Sequence, residues 1–376
     1  MNRKDINKLI NLFFPLSSEF IGSPRKKSTV SESLKVNIGS GQLEYEYNID
    51  TSSFFIDFPS FFSSHTFIPT HNLFLASLKN ARIWGRNGAV VDARDHFLEN
   101  VSREFNNGLQ IDHSIFYTLK QIRYSTCELK TAVIGTAGAN TYYHWMMDIL
   151  PRLGLIAAVY TLNEISFFVT EFSRLPFQVE TLQKIGIPIN KIIASNDNWN
   201  FHIKCNDLIV PSMVSPVDHV NTFQVDFLRS LYRDCIRAQS PEKCIYISRS
   251  KAGSRVIVNE SELLKTLSKH GFEIVYCEDL TIEEQVHLFS SSSFIVCSHG
   301  SALANLVFCN PKTIVIDIFN EKHINPCFWF ISRINKLNYH YFLGKAVPID
   351  ENPKNDNTWI DVSNFLEYFY QIVSAN

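Results

Sequence analysis

The sequence predicts an α/β protein with a β-rich N-terminal extension and, in its second half, a parallel, Rossmann-like sheet. Three observations predict it. Beyond residue 221, apolar runs of strand length alternate regularly with helical segments. A shorter alternation of the same kind occupies residues 131–195. Before residue 130 the chain is rich in Phe, Ser, Thr and Tyr, in short alternating runs broken by Gly and Pro.

At 376 residues the chain is long enough for two cores, because single cores stop growing at roughly 250 to 300 residues. The expected division is an N-terminal domain over 1–220 and a C-terminal domain over 221–376. A composition that is 45% hydrophobic and 19% charged is that of a globular protein rather than a disordered one. The formal charge of -2 gives no reason to invoke nucleic acid as a partner. The eight cysteines form no CxxC pair and several sit in apolar runs, so buried free thiols in a reducing, cytoplasmic compartment are expected.

Taken in order, MNRKDINKLINLFFPLSSEF is too short and too interrupted for a spanning helix, which needs about 20 apolar residues. It reads as a packing helix, with weak membrane contact as the alternative. Runs such as QLEYEYNI, with turns at Gly39, Gly41, Pro59 and Pro69, predict short antiparallel strands. ARIWGRNGAVVDA predicts a hairpin in which Asn87 and Gly88 take positive φ. TAVIGT, a turn of small residues and then YYHWMMDILPRLGLIAAVY read as strand, turn and helix; SFFVT, 175–186 and KIIAS continue the alternation. The two prolines within 210–221 mark the interdomain boundary, and a helix over 223–238 follows.

The second half then reads as strand KCIYIS, helix 259–270, strand FEIVYC, helix 282–290, strand FIVCS, helix 302–307 and strand TIVIDIF. Thr281 with Glu284 is a capping box, and Asn259 with Glu262 resembles one. A last helix over 362–374 is open to packing back on the first domain.

Ligands of a parallel sheet bind beyond the carboxyl ends of its strands. Three polar groups fall there. In ISRSKAGSR, Arg249 and Arg255 follow a strand and suit a diphosphate clamp, although solvated surface arginines would read the same way. In FIVCSHGSALANLVF, a strand ends at His299, Gly300 and Ser301, with Asn305 one turn further on. Backbone N–H groups at such a helix start favour an anion, and a structural histidine is the alternative reading. Asp317, inside TIVIDIF, needs a partner, either a ribose hydroxyl or an arginine. In the first half, YYHWMMD places His144 and Asp148 at i and i+4, a spacing that suits a general base and its orienting group. Arg152 could instead tie up Asp148 as an ordinary ion pair. GTAGAN is not GxGxxG, and GxSxG, GxxxxGK[ST] and HExxH are absent, so no dinucleotide, nucleophile elbow, P-loop or catalytic metal is expected.

Taken together, TYYHWMMDILPRL, ISRSKAGSRVIVNESEL, LTIEEQVHLFSSSSFIVCSHGSALANLVFCNP and TIVIDIF resemble glycosyltransferase family 61, including its bacterial members in capsular polysaccharide biosynthesis, over roughly residues 81–319. The resemblance implies a GT-B-like architecture, two Rossmann-like domains facing a cleft. It also implies inverting transfer from a nucleotide-sugar donor to a glycan or lipid-linked acceptor, with no cofactor and no obligatory metal. The implied catalytic residues are Asp148 and His144, either of which could be the base. The implied donor-binding residues are Arg249, Arg255, His299, Gly300, Ser301, Asn305, Asp317 and Glu284, although capping already accounts for Glu284. The family often carries Glu where the shorter Asp317 stands. A non-catalytic sugar-nucleotide-binding scaffold of a polysaccharide assembly complex is the alternative. Peripheral association with the inner face of a membrane, the oligomeric state and the identity of the sugar stay open.

Overall fold

The computed structural model describes residues 24, 26–31, 73–106, 109–110, 113–117, 124–196, 201–237 and 241–375. The expected N-terminal helix, the QLEYEYNI strands and the turns at Gly39, Gly41, Pro59 and Pro69 lie outside the described residues. Those described form two compact units, one running to Pro216 and the other from Val217.

The first unit contains β1 (Lys26–Ser28), β2 (Leu75–Trp84), β3 (Ala89–Val91), β4 (His96–Leu98), β5 (Ser125–Cys127) and β6 (Thr131–Val133). Helix α1 follows, made of an α turn at Tyr142–His144, a π-helical stretch at Trp145–Ile149 and an α segment at Leu150–Ala157. Then come β7 (Phe167–Thr170), α2 (Pro176–Lys184), β8 (Ile192–Ala194) and β9 (His202–Pro211). Pro176 opens α2, a position where its missing N–H would have had no helical partner. One sheet has the order β1-β4-β3-β2-β9-β6-β7-β8, with β5 also on β9.

β9 joins the two halves of that sheet: it runs antiparallel to β2 over its whole length and parallel to β6 and β5. The β-rich beginning is therefore continuous with the α/β portion rather than separate from it. Leu208, Ile209 and Val210 are all fully buried, as expected of a strand covered on both faces. Leu208 and Val210 pack with Val90, Leu98, Val133 and Val169, and this core fixes the carboxyl end of β6 from which α1 departs. The hairpin forms with Trp84 paired to Ala89, but its loop spans four residues. Positive φ falls on Gly85 and Gly88, each +71°, and not on Asn87.

The second unit contains α3 (Thr222–Leu231), β10 (Lys243–Ile247), α4 (Glu260–Lys269), β11 (Phe272–Val275), α5 (Ile282–Ser290) and β12 (Ser292–Ser298). A 3-10 helix at Ser301–Phe308, β13 (Ile314–Asn320), α6 (Cys327–Ile334), β14 (Asn338–Val347), β15 (Asn357–Trp359) and α7 (Val362–Ala375) complete it. The sheet order is β11-β10-β12-β13-β14-β15, parallel up to β14 and antiparallel at β15. The expected alternation is present, with β14 and β15 extending it. The segment after β12 is 3-10 rather than α. Thr281 caps α5 as expected, accepting from the Glu284 N–H at 3.3 Å. Asn259 does not cap α4; its side chain pairs with the backbone of Ile360, at 2.8 and 3.0 Å. On α7, Phe365, Phe369 and Ile372 share one face, and they pack into the second unit's own core with Tyr246, Phe294 and Ile316.

Candidate active site

In the first unit, the turn after β6 delivers His144 and Asp148 at the start of α1. His144 Nδ1 lies 2.6 Å from Asp148 Oδ2. A carboxylate only accepts, so His144 donates its Nδ1–H and Nε2 carries the lone pair. The imidazole is the more accessible partner, with 23% of its side chain exposed against 9% for Asp148. The π-helical stretch that carries Asp148 is buried throughout, so the carboxylate is held in place while the ring reaches outward.

Gly138 locks the ring from the other side. Its φ is +87°, and a Cβ there would lie 2.5 Å from His144 Cδ2. Gly138→Ala should therefore push the imidazole off Asp148 and strain the turn, costing about 1–3 kcal/mol of stability and most of any activity that needs the pair. Urea unfolding and a turnover assay on the same sample would check both effects.

Arg152 does not compete for Asp148. It is fully buried and donates to the carbonyls of Ile134, Gly135 and Pro211 at 3.1, 2.7 and 2.7 Å, pinning the ends of β6 and β9. Burial first, then Arg103, push its guanidinium down to about 9. Sequence reasoning missed Glu171, which follows β7 and is almost fully buried. Its Oε1 accepts from Asn140 at 2.6 Å and from Arg86 at 2.5 Å, while Gln178 donates to the Ala139 carbonyl at 3.0 Å, so these groups brace the turn preceding α1. A carboxylate at the end of an apolar strand was the available signal, the same one that singled out Asp317.

In the second unit, the carboxyl ends of β10, β12 and β13 gather Arg249, Arg255, His299, Gly300 and Ser301. The Arg249 guanidinium lies against Gly300: a Cβ on that glycine would fall 2.0 Å from Arg249 Nη1. Gly300 is in extended backbone, so the close approach, not its φ, calls for glycine. Arg249 Nη2 donates weakly to the Ser254 carbonyl at 3.3 Å. The Arg255 side chain has no partner among the described residues, and Nε of both arginines is buried without one. Burial first, and then Arg249, push Arg255 down to about 10. The loop holding it is pinned where Ser298 Oγ donates to the Arg255 carbonyl at 2.8 Å.

His299 donates its backbone N–H to Ile318 at 2.8 Å, and its ring stacks on Phe319 with centroids 4.5 Å apart. Its Nδ1 is 3.0 Å from Asp317 Oδ2, which also accepts from the Tyr339 hydroxyl at 2.7 Å. Asp317 is fully buried, so neither a ribose nor an arginine is its hydrogen-bond partner; a histidine and a tyrosine are. Two further expected ligand contacts are already occupied. Asn305 is fully buried and donates to Gln285 Oε1 at 2.7 Å, tying the 3-10 helix to α5. The Glu284 carboxylate accepts from the Thr281 N–H and hydroxyl, both at 2.8 Å.

His323 is a further group that sequence reasoning missed, with its ring centroid 6.0 Å from that of His299. Burial, then His299, Arg255 and Lys354, push it down to about 3, from 6.5. In the unfolded chain it would take up a proton near 6.5 that the folded protein refuses. This contribution to stability is thus complete above that pH and is lost as pH falls toward 3. His323→Gln should lose less stability than the wild type between pH 7 and pH 4.5, read as urea midpoints at the two values.

Residues 142–316 match the family profile described as Glycosyltransferase 61. This segment is similar to glycosyltransferase family 61. It runs from the first residue of α1 into β13, so the His144–Asp148 pair and the Arg249–Gly300 turn both lie inside the matched segment, whereas Asp317, His323 and Tyr339 lie beyond it. A β-1,2-xylosyltransferase of Arabidopsis thaliana is 24% identical over 111 residues, covering 25% of this chain and 21% of that protein. The match thus spans about a fifth of the length of that curated relative. Among the described residues, no helix is long and apolar enough to cross a membrane, no three or more His, Cys, Asp or Glu side chains gather as a metal site, and all eight cysteines are free, six of them buried.

Proposed function

We propose that this chain is an inverting glycosyltransferase that moves a sugar from a nucleotide-sugar donor to a hydroxyl of a glycan or lipid-linked acceptor. The observation that carries the proposal is the pair Arg249 and Arg255. Two guanidinium groups, one on the Gly300 backbone and one without any partner among the described residues, stand at the carboxyl ends of parallel strands. Desolvated cations with unused donors fit a diphosphate, whose oxygens accept bidentate, charge-assisted bonds.

In the proposed reaction the acceptor hydroxyl gives its proton to His144 Nε2 as its oxygen bonds to the anomeric carbon. The bond from that carbon to the diphosphate breaks, and the electron pair leaves with the diphosphate. Asp148 holds the ring in the tautomer that accepts the proton and stabilises the imidazolium formed. Charge grows on the leaving group during this step, where Arg249, Arg255 and the turn at His299 offset it, a role that needs no obligatory metal. A single displacement inverts the anomeric centre. A GT-B arrangement of the two units, a cytoplasmic site at the inner face of a membrane and a place in capsular or other surface polysaccharide biosynthesis belong to the same proposal.

Thermal unfolding in the presence of a nucleotide-sugar panel tests it. A matching donor at 100 times its dissociation constant should add about 2.7 kcal/mol of stability. A panel in which no nucleotide sugar and no nucleoside diphosphate raises the midpoint would sink the proposal.

A further inference from the structure

The second unit contains a histidine–carboxylate pair of its own. His299 is held on every described side. Asp317 on β13 takes its Nδ1 at 3.0 Å, and Phe319 and Phe328 cover the ring at 4.5 and 4.8 Å between centroids. His323 meets it edge-on, and the charge of Arg255 acts on both His323 and Asp317. Asp317 is oriented in turn by the Tyr339 hydroxyl on the neighbouring strand β14, where Asp317 is in register with Tyr341, two residues further along. Because Tyr339 and His299 both point at Oδ2 and a carboxylate only accepts, Nδ1 of His299 carries its hydrogen. His299 Nε2 has no partner among the described residues, and it belongs to the residue next to Gly300, on which Arg249 lies.

We infer that Asp317 and Tyr339 are positioning residues that hold His299 as an imidazolium with its Nε2–H aimed at the leaving diphosphate, making His299 the proton-donating counterpart of His144. This rests on reading the turn as the donor-diphosphate site. As the bond between the anomeric carbon and the diphosphate oxygen breaks, that oxygen receives the electron pair and a hydrogen bond, or the proton itself, from Nε2. The acceptor's proton goes separately to His144. With Nδ1–H given to Asp317, Nε2 donates only when the ring carries both hydrogens, and the buried carboxylate is the group that faces the charge of that imidazolium. Such an arrangement acts on charge that develops during transfer more than on ground-state binding, so its loss should appear in kcat.

The test pairs turnover with the affinity for UDP and GDP, measured by calorimetry, in Asp317→Asn, Asp317→Glu, Tyr339→Phe and His299→Gln. Asp317→Asn and His299→Gln should lose about 10²-fold in kcat. Asp317→Glu should recover a good part of the loss, and Tyr339→Phe should lose about 5-fold, the worth of one neutral hydrogen bond. Affinity for whichever diphosphate binds should change less than about 3-fold in Asp317→Asn and Tyr339→Phe, since neither residue touches the ligand.

Nitrogen-15 NMR of histidine-labelled wild type should show hydrogen on both ring nitrogens of His299, and Tyr339→Phe should weaken that signature even if Asp317→Asn does not fold. A neutral His299 in either tautomer would overturn the inference, as would unchanged kcat in folded Asp317→Asn. A wild type that binds no nucleoside diphosphate would instead overturn the reading of the turn on which the inference rests.

Discussion

Replacing His144 by alanine is expected to lower kcat by about 10²- to 10⁴-fold, the usual worth of a positioned general base. The fold should survive, because the imidazole is partly exposed and its removal relaxes the close contact with Gly138. Asp148→Asn should come near the same loss by another route. A carboxamide can donate to Nδ1, which would move the imidazole hydrogen to Nε2 and leave no lone pair where the acceptor hydroxyl must give up its proton. Arg152 does not confuse the comparison, since its donors are given to backbone carbonyls. Circular dichroism and urea midpoints within about 1 kcal/mol of the wild type would separate lost chemistry from lost folding. Two folded variants with ordinary turnover would remove the base from the account.

Arg249→Ala and Arg255→Ala are each expected to weaken binding of a nucleoside diphosphate by about 10- to 150-fold, since hydrogen bonds to charged groups contribute about 1.5–3 kcal/mol. The double variant should lose less than the product of the two, because each guanidinium raises the cost of charging the other and the two share one ligand. The unliganded protein should respond in the opposite sense. A largely buried guanidinium with no hydrogen-bond partner is an expense to the fold, so Arg255→Met should match or exceed the wild-type unfolding midpoint while binding the diphosphate as weakly as Arg255→Ala. Calorimetry and thermal unfolding on the same variants read both effects. A drop in stability without any change in affinity would return both arginines to structural duty.

The regular alternation of the second half was legible because each strand and each helix announces itself locally. Buried runs such as FIVCS and TIVIDIF, and the Thr281 cap, need no knowledge of the rest of the chain. The pairing of His144 with Asp148 was legible for the same reason, since four residues of helix settle it. Strand β9 was not. Its first half alternates weakly, its end carries a proline, and the partner that makes it a strand, β2, lies about 130 residues earlier in the chain, as the Ser77–Asp207 bond shows. The ligands of Asp317 were hidden likewise. Its demand for a partner could be read from burial in an apolar strand, but supplying that partner from Tyr339 requires the register of β13 on β14. Asn305 misled because a polar side chain just past a strand-to-helix turn looks the same in sequence whether it faces a ligand or, as here, Gln285.

Nucleoside diphosphate release from a nucleotide-sugar panel tests the proposed transfer most directly. It is measured with glycan acceptors on the wild type, His144→Ala and the Arg249→Ala/Arg255→Ala double variant, with donor-induced stabilisation followed alongside. The wild type should show acceptor-dependent release from at least one donor and either variant little, with stabilisation by that donor kept in His144→Ala and lost in the double variant. Release at wild-type rates from both variants, or equal stabilisation of the double variant by the donor, would contradict it.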